Sequence, residues 1–183
     1  MDTIRILAIS GSLRKESYNT ALINAVAKLA PNGIDVTVFG EMDLIPLFNP
    51  DIDNENISAV KNLKTELEQS HGLLISSPEY AHGISGVLKN ALDWLVSGDE
   101  FPYIPVALTN TSPRATHAQT ALREVISTMS GNVIESAAIV IPLLGTDLDV
   151  NGIIENDEIS RHIIEKINIF KEQIIKCGQI NNA

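Results

Sequence analysis

Short apolar runs and amphipathic stretches take turns along this chain, and the two rhythms predict its elements. Ile4-Arg5-Ile6-Leu7-Ala8-Ile9-Ser10 is rich in β-branched residues and too short for a helix, so it predicts a buried strand. Thr20 to Ala30 is Ala/Leu-rich and is followed by Pro31 and Gly33, which predicts a helix and its end. Ile34 to Phe39 alternates as a strand does. A long loop follows from Glu41 to Asn54, with Pro46, Pro50 and several acids. Ile57, Val60, Leu63 and Leu67 mark one helical face, and Gly72 to Ser77 the third strand. The loop Pro78 to Ser85 leads to a helix from Gly86, with Leu88, Ala91, Leu92 and Leu95 on one side. Ile104 to Asn110 is the fourth strand. The next helix carries Ala118, Ala121, Leu122, Val125, Ile126 and Met129, and Ala137 to Ile141 is the fifth strand. The last helix aligns Ile159, Ile163, Ile167, Phe170 and Ile174, before a polar tail from Gly178 to Ala183.

Five apolar strands separated by amphipathic helices imply a parallel sheet covered on both faces. With right-handed crossovers this is a doubly wound α/β sandwich, expected here as one domain over 1–177 with 178–183 as tail. Ligands in such sheets bind at the carboxyl ends of the strands. The polar loops 10–19, 78–85 and 111–116 are therefore expected to converge.

Composition narrows the function. The chain has 183 residues, 44% hydrophobic and 20% charged, with net charge −10. Such acidity disfavours nucleic acid and anionic membrane as partners. One cysteine, Cys177, leaves no intrachain disulfide and suits a cytoplasmic protein. The start, Met1 to Arg5, has no basic n-region, so no signal peptide is expected, and no apolar run reaches the ~20 residues of a membrane span. His71, His82, His117 and His162 are scattered, and no metal site is expected. His82 and His117 fall on the ligand-side loops.

Two stretches carry chemistry. Gly11-Ser12-Leu13-Arg14-Lys15-Glu16-Ser17-Tyr18-Asn19 joins a strand to a helix. Gly11 permits a tight turn and close approach to a ligand. Ser12, Ser17 and Asn19 offer neutral donors, and Arg14 a planar cationic fork. Beside a helix N-terminus these suit an anion such as phosphate, while a plain capped helix explains Ser17 and Asn19 equally well. It is neither a P-loop nor a dinucleotide fingerprint. The second stretch, Ser77-Pro78-Glu79-Tyr80-Ala81-His82-Gly83-Ile84-Ser85-Gly86, reads as an open turn that could admit a flat aromatic ligand beside Tyr80, or as an ordinary strand-to-helix loop. Beyond it, Val87, Asn90 and Trp94 lie off the core stripe of their helix. That places Trp94 at a subunit interface or over the sheet edge.

Read with its continuation through Val-Leu-Lys-Asn-Ala-Leu-Asp-Trp94, and with residues 11–19, the second stretch closely resembles the NADPH-dependent FMN reductase family, which includes quinone and chromate reductases and azoreductases. The resemblance implies a flavodoxin-like three-layer fold with strand order 2-1-3-4-5 and a non-covalent FMN. It maps a phosphate loop onto Ser12, Leu13, Arg14, Ser17, Tyr18 and Asn19, and an isoalloxazine loop onto Pro78, Glu79, Tyr80, Ala81 and Gly83. Ser112 falls where the family touches the ring again. It implies NAD(P)H as co-substrate, a small-molecule acceptor (flavin, quinone, azo compound or metal oxyanion), no catalytic side chain, and a homodimer or homotetramer. The chain departs from the family at Ala81, where many relatives carry Asn, at Ser85, where many carry Pro, and in Ser112 to Thr116, which lacks the usual glycines. The alternative on the same fold is an FMN-binding electron carrier or regulator without turnover.

Overall fold

The computed structural model describes residues 3–52 and 56–181, so the last residues of the predicted Glu41–Asn54 loop, the start Met1-Asp2 and the end Asn182-Ala183 lie outside the described residues. The elements run β1 (Ile4–Ser10), α1 (Tyr18–Leu29), β2 (Ile34–Val38), α2 (Ser58–Glu68), β3 (Gly72–Ser76), β4 (Glu79–Tyr80), β5 (Gly83–Ile84), α3 (Gly86–Leu95), β6 (Pro105–Asn110), α4 (Thr116–Thr128), β7 (Asn132–Val133), β8 (Ile139–Val140), α5 (Val150–Glu155) and α6 (Asp157–Asn181). The main sheet is parallel, in the order β2-β1-β3-β6-β7, with β8 also on β6. With β6 as the fourth strand and β7 and β8 sharing the fifth position, this is the 2-1-3-4-5 order of the flavodoxin-like expectation.

The alternating pleat of β1 sorts its side chains to two cores. Ile6 and Ala8 pack with Leu22, Ile23, Ile163, Ile167 and Phe170 from α1 and α6. Leu7 and Ile9 pack with Leu63, Leu88, Leu92 and Leu122 from α2, α3 and α4. Both faces are buried, which is why the strands read as unbroken apolar runs.

Three features differ from the expectation. The fifth strand, expected over Ala137–Ile141, is a split edge: β7 pairs at Pro105↔Asn132 and Val106↔Val133, and β8 at Thr109↔Ile139 and Asn110↔Val140. The surplus residues between them form a 3₁₀ turn at Glu135–Ala137, with Glu135 and Ser136 exposed and Ala137 buried in the core, which interrupts an otherwise open edge. The turn is tied down by Arg123 of α4, whose Nε and Nη2 donate to Glu135 at 2.6 and 2.9 Å, and by Lys166, which donates to the Ser136 carbonyl at 3.0 Å. At the chain's end, α6 carries helix on to Asn181, through residues read as polar tail.

The third difference concerns Trp94, which is 2% exposed and covered from within its own chain. Its Nε1 donates to the Pro46 carbonyl at 2.9 Å, and its ring meets Phe48 edge-on with centroids 5.1 Å apart. Asn90 donates to the same carbonyl and accepts from the Phe48 N–H at 2.8 Å. The long loop after β2 therefore folds over α3, and the second face of that helix is covered from within the chain.

Candidate cofactor site

Strand ends build the site. The Gly11 N–H donates to the Ser76 carbonyl at 2.8 Å, which carries the β1–β3 ladder one residue past the strand. A Cβ on Gly11 would lie 2.7 Å from Ser85 Oγ and 3.0 Å from Leu88 Cβ. Glycine is thus required by the approach of α3; the sequence had suggested the approach of a ligand. Beyond it the turn is held by small hydroxyls. Ser12 N–H donates to Ser10 Oγ at 3.3 Å, Arg14 N–H to Ser12 Oγ at 3.4 Å, and Ser10 Oγ pairs with Thr20 Oγ1 at 2.8 Å. Ser17 is the N-cap of α1 and accepts from the Thr20 N–H at 3.4 Å.

Asn19 does something the sequence did not reveal. It is buried, and its Oδ1 accepts from Ser76 Oγ at 2.9 Å and from Thr111 Oγ1 at 3.3 Å. Thr109 Oγ1 donates onward to Ser76 Oγ at 2.7 Å. One amide oxygen thereby joins the first turn of α1 to the ends of β3 and β6 at the floor of the site. The signal was available in retrospect: Ser76, Thr109 and Thr111 are hydroxyl residues at the carboxyl ends of apolar strands.

The second wall is a hairpin where an open turn was expected. β4 and β5 pair antiparallel, Glu79 with Ile84 and Tyr80 with Gly83. The two connecting residues, Ala81 and His82, both sit at positive φ, 49° and 61°. That is the two-residue hairpin turn that normally selects Asn-Gly, so the Ala81 departure falls where a left-handed conformation costs most. The Glu79 carboxylate turns away to α4, where Oε2 accepts from the Ala118 N–H at 2.9 Å.

The third wall needs no glycine. Ser112 N–H donates to Asn110 Oδ1 at 3.0 Å, Arg114 N–H to Ser112 Oγ at 3.3 Å, and Ala115 N–H to the Ser112 carbonyl at 3.1 Å. No residue from Ser112 to Thr116 has positive φ.

These walls enclose a cleft of about 280 Å³ at the carboxyl end of the sheet. Nine of the twelve expected residues line it: Ser12, Arg14, Ser17, Tyr18, Asn19, Pro78, Glu79, Tyr80 and Ser112. Leu13, Ala81 and Gly83 do not; Leu13 projects outward and is 55% exposed, and the other two stand at the turn of the hairpin. Ser77, Asn110, Thr111, Arg114, Ala115 and Leu144 complete the lining. Leu144 follows β8 and lies far along the chain from both motifs. A second cavity of about 640 Å³ also borders residues 14–18, and Asp147 and Asp149 are among its other lining residues. Arg14 borders both cavities, and among the described residues no carboxylate pairs with it. No cluster of His, Cys, Asp or Glu among the described residues is placed to hold a metal ion.

The donor set tests the fit to FMN. One end of the cleft has a guanidinium, two serine hydroxyls and the N-terminus of α1, which suit a phosphate dianion. The other lies between the hairpin and the 111–115 loop, with Tyr80 half exposed at its lip, as a planar ring requires.

Known proteins share this fold and parts of this sequence. FerB of Paracoccus denitrificans, described as a flavoenzyme NAD(P)H:(acceptor) oxidoreductase, superposes with a TM-score of 0.83 at 23% identity, over 95% of this chain and 98% of that one. An NAD(P)H-dependent FMN reductase of Pseudomonas aeruginosa is 30% identical over 171 residues, which is 90% of this chain and 91% of that protein. The quinone reductase of Escherichia coli is 33% identical over 96 residues, about half of each chain. The model of the NADPH-dependent FMN reductase family matches residues 4–143, which run from the first strand past the last and include every residue of the cleft but Leu144. On that match, and on a relative aligned along nearly its whole length, the chain belongs to the NADPH-dependent FMN reductase family.

Proposed function

We propose that this chain is an NAD(P)H-dependent FMN oxidoreductase that reduces a small-molecule acceptor, with free flavin or a quinone as the first candidates. The observation that carries this is the convergence in one cleft of Arg14, Ser12 and Ser17 with the Pro78–Tyr80 and Ser112–Ala115 segments. When bound, FMN supplies the two-electron chemistry, a hydride accepted from NAD(P)H and passed to the acceptor. The chain's own residues bind and orient. Arg14, Ser12 and Ser17 would hold the phosphate, with Leu13, Tyr18 and Asn19 shaping the turn behind them. Pro78, Glu79, Tyr80 and Ser112 would border the ring, with Ala81 and Gly83 forming the hairpin turn behind them. No side chain is needed as acid or base, so none is assigned that role.

The chain acts on this reading as a cytoplasmic homodimer or homotetramer, with neither nucleic acid nor membrane as partner. Net charge −10 and the single cysteine support the setting. Among the described residues no helix is long and apolar enough to cross a membrane. Leu44, Leu47, Phe48 and Ile52, all exposed on the loop that covers α3, are the candidate contact between copies.

The test is steady-state NADH and NADPH oxidation by the FMN-loaded protein, with benzoquinone or free FMN as acceptor. Multiple turnovers with bleaching of the flavin absorbance on anaerobic addition of NAD(P)H are expected. FMN binding without turnover would replace the enzyme with an electron carrier or regulator, and no FMN binding would end both.

A further inference from the structure

Helix α4 begins without a cap of its own. Its N-cap residue is Ala115, whose side chain cannot accept a hydrogen bond, and its first turn contains no acid. An uncapped helix start leaves donors unmet and a positive dipole end uncompensated. One of those donors, and the dipole with it, meets a carboxylate from a distant part of the chain. Glu79 Oε2 accepts from the Ala118 N–H at 2.9 Å, and the Glu79 side chain is only 15% exposed, so the carboxylate acts in a poorly hydrated setting. A second contact crosses the same seam. His82, at the tip of the hairpin, places Nδ1 3.6 Å from Glu79 Oε1, and its ring meets His117 of the first turn of α4 edge-on, with centroids 4.3 Å apart.

The seam joins two walls of one cleft. Pro78, Glu79 and Tyr80 line one side, and Ser112, Arg114 and Ala115, the residues that lead into α4, line another. Ala81 and His82 hold the hairpin turn at positive φ, a conformation that costs free energy, and the contacts to α4 oppose that cost. We propose that Glu79 is a positioning residue: its carboxylate clasps the hairpin to the first turn of α4 and fixes the width of the ring end of the cleft. It acts on bound flavin through that geometry, whereas Arg14 acts on the phosphate. The inference rests on the FMN reading above.

The experiment compares wild type with Glu79→Ala, Glu79→Gln and Arg14→Ala, each confirmed folded by circular dichroism, in titrations with FMN and with riboflavin. Glu79→Ala loosens both flavins by a similar factor, about fivefold or more, because the binding-competent closed form becomes a minor population. Glu79→Gln, whose amide oxygen can still accept from Ala118, retains affinity to within about threefold of wild type. Arg14→Ala loosens FMN selectively. The visible circular dichroism of bound flavin changes in Glu79→Ala and is restored in Glu79→Gln. Amide exchange on the apoprotein is a readout that needs no flavin: Ala118 loses protection in Glu79→Ala and regains it in Glu79→Gln. Unchanged Ala118 exchange in Glu79→Ala, or a Glu79→Gln variant that behaves as Glu79→Ala does, overturns the clasp. A wild type that binds neither flavin overturns the FMN reading instead.

Discussion

Gly11 and Ser85 stand so close that a single methyl group on Gly11 would come within 2.7 Å of the Ser85 hydroxyl, which itself caps α3 by accepting from the Leu88 N–H at 3.2 Å. The turn after β1 and the start of α3 are therefore packed as one unit. Gly11→Ala should destabilise the fold by about 1–3 kcal/mol through overpacking, with Tm lowered by about 2–4 °C per kcal/mol. Ser85→Ala alone loses a cap, at about 0.5–2 kcal/mol. Because the second change makes room for the first, the double variant should lose less than the two single losses added together. Strict additivity in thermal melts would show that the two sites do not touch.

Arg14 borders the cleft with no carboxylate partner among the described residues, so its charge is available to a ligand. A charge-assisted hydrogen bond contributes about 1.5–3 kcal/mol, so Arg14→Ala should weaken FMN by roughly 10- to 150-fold. Riboflavin, which has no phosphate, should lose much less. Fluorescence titration of both ligands decides, and equal losses would place Arg14 elsewhere in the site.

Ala81 is held at φ 49° in the hairpin turn. The left-handed conformation costs a non-glycine residue roughly 1–2 kcal/mol, part of which Asn or Gly avoids. Ala81→Asn should stabilise by about 0.5–1 kcal/mol and Ala81→Gly by somewhat less, since glycine also loosens the unfolded chain. Scanning calorimetry should show a rise in Tm of about 1–4 °C for Ala81→Asn. A fall for both variants would mean that the turn differs from the one described.

Trp94 is buried beneath Pro46 and Phe48 of its own chain. Trp94→Ala should cost about 3–5 kcal/mol and leave the native mass unchanged. Trp94→Phe keeps most of the packing and loses one hydrogen bond, about 1 kcal/mol. Light scattering beside the melts checks both. A smaller assembly in Trp94→Ala at full retention of Tm would return this residue to an interface.

The pair Arg123–Glu135 sets a pH dependence. The hydrogen bonds from Arg123 hold the Glu135 carboxyl below its ordinary range, against the opposing effect of partial burial. A lowered folded-state value means stability that is present above the ordinary carboxylate range and lost as pH falls through the lower folded value. The pair is largely solvent-exposed, so its contribution is at most about 1 kcal/mol. Urea melts should therefore show Glu135→Gln less stable than wild type at pH 7, with the gap closing toward pH 3. A gap that widens on acidification would contradict the assignment.

The chain itself determined its strands, its helices and their layering. A strand buried on both faces must be apolar throughout, and a helix on such a sheet must carry one apolar stripe, so both leave marks in local sequence that survive without knowledge of the partner. The two loops that line the cleft were legible for a related reason: Ser12, Arg14, Ser17 and Pro78 to Tyr80 lie in two short segments, and the structure brings these into one cleft. What local pattern could not supply were relations between segments distant along the chain. Trp94 looked like an interface residue because its cover, Pro46 and Phe48, is 48 and 46 positions away and belongs to an irregular loop with no period to read. Gly11 looked like a ligand contact because the Ser85 hydroxyl that excludes a side chain there comes from another element. Glu79 looked like part of a ring loop, and only the packing of the hairpin on α4 gave its carboxylate the Ala118 amide. The edge strand split because three-dimensional pairing with β6 tolerates a turn between the two halves, with Glu135 and Ser136 exposed and Ala137 buried, a choice no hydrophobic pattern records. Burial of apolar surface is a property of each segment and is written into it; hydrogen bonds and close approaches between distant segments come into being only when the sheet has brought them together.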